Sequence, residues 1–261
     1  MATADSLKNS ITTKKETKIG STVKNLLDNP TVKKRFEEVL KERAPQYMSS
    51  IVNLVNSDTN LSKCEQMSVV ASCMVAATLD LPVDKNLGYA WVVPYGNKAQ
   101  FQLGYKGYVQ LALRTGQYKS INVIDVHEGE LVSWNPLSEE LVIDFEKKKS
   151  DAIIGYAGYF ELLNGFKKSV FWTKEQIEKH RRKFSKSDFG WGKDFDGMAR
   201  KTVLRNMLSK WGILSIEMQK AYTTDNAIIA PEAVETGEIQ GNTEFVDAAF
   251  ESLEGTPFEE V

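Results

Sequence analysis

At Gly88 the hydrophobic period of this 261-residue chain changes, and nothing else in the sequence limits the fold as much. Upstream, apolar residues recur at helical spacing. Asp28-Asn29-Pro30 reads as a cap followed by an early-helix proline, with Phe36, Val39 and Leu40 on one face. Pro45 opens another helix carrying Met48, Ile51, Val52 and Val55. Residues 67–79 read as a third, largely buried helix that stops at Asp80-Leu81-Pro82. From Gly88 on, GYAWVVPY and AQFQLGY flank Gly96-Asn97-Lys98, two β-prone runs around turn residues, hence a hairpin.

A helix over 105–115, closed by Gly116, comes next, and strands are expected at 118–127, 141–146, 152–162 and 167–172. Gly129, Asn135-Pro136, residues 147–150 and Asn164-Gly165 punctuate them. Thr173 and Gln176 form a capping-box pattern that opens a helix to about residue 183. Residues 184–193 read as loop, 194–210 as a long helix and 215–222 as a short one. This order predicts an α+β fold, with a mainly antiparallel sheet and a β-hairpin packed against helices. Residues 1–22 are polar with no apolar period and are expected to be a mobile leader. The body then spans 23–225 and a tail spans 226–261.

The bulk composition narrows the class. A hydrophobic fraction of 42% with 10% aromatics suffices for a core, which excludes a disordered protein. No apolar run approaches the ~18 residues of a membrane span, and the N-terminus lacks the apolar centre of a secretory signal. A soluble protein of the cytoplasm is therefore expected. Cys64 and Cys73, the only cysteines, read as small apolar fillers in a reducing compartment.

The net charge of −2 hides a segregation. Nine of the 35 acidic residues lie in 227–261, where there is no Lys or Arg, so the remaining 26 acids face 33 bases. A basic body suits a polyanionic partner such as nucleic acid, while the acidic tail reads as an interaction arm, a shield or a solubility device. The excess concentrates in residues 164–211, where thirteen bases stand against five acids, interleaved with Phe171, Trp172, Phe184, Phe189, Trp191 and Phe195. Cations of this kind track a phosphate backbone, and flat rings can meet unpaired bases. In a mixed domain such rings are more often core, the reading favoured for Trp172 and Phe195, while Trp191, in a glycine-flanked polar loop, is open to either role.

Catalytic chemistry has little to work with. The chain has two histidines, and His127 in HEGEL lacks the second histidine of a zinc HExxH helix. There is no Walker loop, and Gly190-Trp191-Gly192 with Gly197 misses the spacing of a dinucleotide fingerprint. Asp188, Asp194 and Asp196 could hold Mg²⁺ in a nuclease, or could simply cap a helix. No catalytic residue, metal or cofactor is expected.

Helical spacing aligns Lys201, Arg205 and Ser209 on one stripe, with Val203, Met207 and Trp211 on another suited to burial. In the helix after the hairpin, Lys106, Gln110, Arg114 and Gln117 share a polar stripe, and Tyr108, Leu111, Ala112 and Thr115 face away. Gly104-Tyr105-Lys106-Gly107 starts that helix, where unpaired N–H groups and the helix dipole favour a phosphate.

At these residues the chain resembles the RecT family of phage and prophage single-strand DNA annealing proteins. LGYAWVVPYGNKAQFQLGYKGYVQLALRTGQ (87–117) and WGKDFDGMARKTVLRNMLSKWGILSIEMQKA (191–221) carry the likeness, which covers about residues 25–225. The resemblance implies an ATP-independent recombinase. Such a protein binds single-stranded DNA, anneals complementary strands and holds the duplex on a homo-oligomeric ring or helical filament. It also implies a phage 5′→3′ exonuclease and a host single-strand binding protein as companions, and a core similar to that of eukaryotic single-strand annealing proteins.

The site residues expected on the DNA backbone are Lys106, Arg114, Arg181, Arg182, Lys183, Lys186, Lys201, Arg205 and Lys210, together with Lys98 and Lys119. Tyr105 and Trp191 are the candidate stacking contacts. A metal-dependent nuclease using the three aspartates and a protein-binding scaffold with a basic face are the competing readings.

Overall fold

Asn29 starts the helical half as the amino-acid sequence suggests: its side chain accepts a hydrogen bond from Thr31 N at 2.9 Å, with Pro30 at the first helical position. In the computed structural model, which describes residues 17–185, 189–230 and 233–234, the fold is α+β. The described residues fall into two compact units. The first takes those up to Asp84, Val92–Phe101 and those from Ile228 on; the second takes Lys85–Trp91 and Gln102–Ala227.

The first unit holds α1 (Thr17–Leu27), α2 (Pro30–Leu40), α3 (Ala44–Ser57) and α4 (Gln66–Thr78). Every residue of α4 from Ser68 to Ala77 is buried, because α1, α2 and α3 all pack against it. That explains its run of small and apolar residues. The two serines in the run are not stray polar groups. Ser68 Oγ accepts from Ala99 N at 2.8 Å, and Ser72 Oγ donates to Ala99 O at 3.3 Å, tying both backbone groups of Ala99 to α4. Cys64 and Cys73 are buried thiols, and burial pushes both above the usual thiol range, in keeping with filler roles.

The hairpin consists of β1 (Ala90–Tyr95) and β2 (Lys98–Leu103), joined by a turn in which Gly96 has φ 59°. In chain order there follow α5 (Tyr105–Arg114), β3 (Tyr118–His127), β4 (Leu131–Asn135), β5 (Glu140–Ile143), β6 (Ile153–Leu162) and β7 (Lys167–Thr173). The chain continues with α6 (Lys174–Phe184), α7 (Phe189–Lys193), α8 (Phe195–Trp211) and α9 (Ile216–Thr224). Strands β3, β6 and β7 form an antiparallel sheet in the order β3-β6-β7, and β4 pairs with β5.

Register sorts the sheet into two faces. Val123, Gly158 and Val170 lie in one cross-strand row, and α8 packs over them, with Val203 and Met207 seated against Gly158. On the opposite face Val126, Ala157 and Phe171 form a core closed by Leu131, Trp134, Leu141 and Ile143 of the β4–β5 ribbon. The capping box at Thr173 is present, with Thr173 Oγ1 accepting from Gln176 N and Gln176 Oε1 accepting from Thr173 N.

Four expectations change. A strand, β4, occupies 131–135, a stretch the sequence marks only by the turn signals on either side. Residues 189–193 form the short helix α7 rather than loop, and α1 begins at Thr17 inside the expected leader. Burial also continues past residue 226: Ala227, Ile229, Ala233 and Val234 are all covered. The leader through residue 16 and the acidic residues from 235 on lie outside the described residues. No helix among the described residues is long and apolar enough to cross a membrane.

Candidate nucleic-acid interface

The start of α5 is shaped by close backbone packing. A Cβ on Gly104 would collide with the Gly88 carbonyl, and one on Gly107 with the Tyr89 carbonyl and the Leu103 side chain. Gly104 N also donates to Tyr89 O at 2.8 Å. Both glycines of the Gly-Tyr-Lys-Gly start therefore let the chain over 88–89 lie against the helix. Gly107→Ala is expected to destabilise the protein by about 1–3 kcal/mol through overpacking. Unchanged thermal unfolding of that variant would contradict the packing role.

One turn on, Tyr108 points inward to a buried charge network in the second unit. Asp225 is fully buried. Its Oδ2 accepts from Tyr108 Oη at 2.7 Å, and its Oδ1 accepts from Leu103 N at 2.8 Å. From α8, Lys201 Nζ lies 3.7 Å from Oδ1, while Arg205 Nε lies 3.5 Å from Oδ2 and donates to Tyr108 Oη at 3.0 Å. Burial and the adjacent Asp225 push the Tyr108 hydroxyl well above its usual range. Burial alone would lower the pKa of Arg205, but Tyr108 and Asp225 outweigh it and hold the guanidinium charged. Two cations thus share one carboxylate, and α5, α8 and the end of α9 are locked together.

The expected cations divide by where the fold puts them. Lys106 and Arg114 are exposed on α5, which packs against α8, so they stand on a helix neighbouring Lys201 and Arg205. Lys210 is exposed at the end of α8. Arg181, Arg182 and Lys183 lie elsewhere in the unit, on α6, which packs on β6 and β7. Arg182 and Lys183 are exposed there, and Arg181 reaches Glu178 at 3.4 Å beside a cleft of about 370 Å³ that both arginines line. Lys119, on β3, is bound by Glu161 at 2.9 Å. Lys98 is half-buried in β2 and belongs to the first unit. Lys186 lies outside the described residues.

The aromatic expectations change most. Trp191 is buried and its ring packs 5.4 Å from that of Phe195, so it presents no face to a base. Trp211, expected to be buried, is exposed. Tyr105 is half-buried with its hydroxyl engaged by the Val123 backbone.

The carboxylates considered for a metal have structural partners. Asp194 accepts from Gly197 N at 2.9 Å as the N-cap of α8, and Asp196 accepts from Tyr156 Oη at 2.5 Å. Asp188 lies outside the described residues. Sequence reasoning misses Asp225 altogether and places Tyr108 and Trp211 by helical phase alone, because their surroundings depend on partners 97 or more positions away or on the end of a helix emerging from the core.

Against known proteins, the RecT family model matches residues 45–241. The YqaK protein of Bacillus subtilis (strain 168) is 67% identical over 225 residues, covering 85% of this chain and 79% of the relative. Protein RecT of Escherichia coli (strain K12) is 27% identical over 221 residues, covering 78% of this chain and 80% of the relative.

Proposed function

Since the chain belongs to the RecT family, whose members are recombination and single-strand annealing proteins, we propose that it binds single-stranded DNA and anneals complementary strands without a nucleotide cofactor. The observation that carries this reading is the family match across 45–241, which includes the hairpin, α5 and α8. Annealing requires no covalent step. It requires that phosphate repulsion between two strands be neutralised while the bases stay available for pairing.

The exposed cations Lys106, Arg114, Arg182, Lys183 and Lys210 suit the first demand. Lys201 and Arg205 add positive potential from one layer deeper, because together they exceed the single charge of Asp225. The protein works as a homo-oligomer on the annealed duplex in the bacterial cytoplasm, supplied with single strands by a 5′→3′ exonuclease and meeting a host single-strand binding protein there.

Fluorescence anisotropy with labelled oligonucleotides tests the binding step. The expected result is binding without ATP or Mg²⁺, with affinities that vary little among mixed sequences and strands left at full length. Shortened strands in the presence of Mg²⁺ would instead favour a nuclease, and no binding near physiological salt would favour a protein-binding scaffold.

A further inference from the structure

Trp211 ends α8 with 36% of its surface exposed, although the same helix buries Val203, Leu204, Met207 and Leu208. Over its ring stands the ammonium of Lys168, 3.5 Å from the centroid. Lys168 comes from β7 and keeps only 8% side-chain exposure, and its ammonium is bound by Glu139. Glu139 sits in the β4–β5 turn at φ 59°, a left-handed conformation uncommon outside glycine. Burying an ammonium is unfavourable unless it is paired and hydrogen-bonded. Here an ion pair and an unusual turn residue hold one cation against one surface indole.

What this arrangement secures is orientation. A cation over an aromatic face is attracted by the ring quadrupole, so Lys168 fixes the indole while part of it stays open to solvent. Lys210, exposed, adds a second ammonium 5.7 Å from the same centroid. A partly exposed flat ring, held by one ammonium close over it and with a second farther off, matches an unpaired base and its phosphate, and its rigidity lowers the ordering cost of binding. An apolar protein surface would match it less well, because covering the ring would also strip water from the Lys210 ammonium.

We propose that Trp211 is a base-stacking platform for single-stranded DNA, with Lys168 and Glu139 as positioning residues and Lys210 on the adjoining phosphate. The inference rests on the DNA-binding reading above and names its base contact.

The test compares a labelled oligothymidylate with an abasic strand of equal length, using full-length protein. Trp211→Ala is expected to weaken binding of the base-bearing strand about tenfold and to leave the abasic strand unaffected, while Trp211→Phe keeps most of the affinity. Lys168→Met is expected to lower affinity for the base-bearing strand alone, whereas general damage to the fold would lower both. Equal losses on both strands, or no loss on either, would overturn the proposal. So would a smaller oligomer of Trp211→Ala in sedimentation without DNA, which would place the ring between subunits. If the wild-type protein binds neither strand, the DNA-binding reading fails as well; if it binds both strands tightly and Trp211→Ala matches it, only the stacking role fails.

Discussion

Asp225→Ala is expected to lower stability by about 3–5 kcal/mol, the usual cost of removing one partner from a buried ion pair. The carboxylate is fully buried and accepts hydrogen bonds from Tyr108 and Leu103, so truncation leaves a hydroxyl and a backbone N–H without their acceptor. It also leaves Lys201 and Arg205 facing each other without the charge they share. Against the ~5–15 kcal/mol typical of a folded domain this is a large fraction, and a fall in Tm of about 10 °C or more is expected by circular dichroism. Asp225→Asn, which keeps the shape but loses the charge, should fall between. A Tm for Asp225→Ala within a degree or two of wild type would show that the network does not hold the second unit together. By the same logic, Lys201→Ala and Arg205→Ala mix lost DNA contact with lost stability, which makes the exposed Lys106 and Arg182 cleaner probes.

Affinity for single-stranded DNA is expected to fall about a hundredfold between 50 and 200 mM salt. Five exposed cations, Lys106, Arg114, Arg182, Lys183 and Lys210, stand on α5, α6 and α8. If each neutralises one phosphate, the slope of log K against log salt is about −3.5 on a single strand, because each contact releases most of one condensed counterion. Removing Lys106 or Arg182 should then weaken binding to all sequences alike and reduce the slope by about 0.7. A slope near zero, or a variant that changes base preference while leaving the slope intact, would contradict backbone recognition.

Local signals were legible in the sequence wherever they are local in the fold. The turn at Gly96, the cap at Asn29 and the capping box at Thr173 each depend on a few neighbouring residues, and all three are present. Strand β4 escaped because its alternation is broken: the register slips between Leu131 and Ser133, and much of the strand is exposed. The charge surplus of residues 164–211 was overstated for a different reason. Counting along the chain leaves out Asp125, Glu139, Glu161 and Asp225, which the fold brings to Arg200, Lys168, Lys167 and the Lys201–Arg205 pair.

The Gly-Tyr-Lys-Gly start reads as an anion site on helix-dipole grounds, yet its glycines are explained by the backbone over 88–89 lying against them. Helical phase likewise assigned Trp211 to the buried stripe of Val203 and Met207. Phase cannot tell that burial along α8 ends at Leu208, so that Trp211 emerges just before Gly212 closes the helix.

The central claim is that this protein brings complementary strands together. It is tested most directly by stopped-flow fluorescence of two complementary oligonucleotides carrying a donor and a quencher, mixed at nanomolar concentration without ATP. The expected result is annealing many times faster with the protein than without it, an advantage that disappears as salt is raised. Annealing no faster with protein than without, under conditions where the protein binds each strand, would contradict the account.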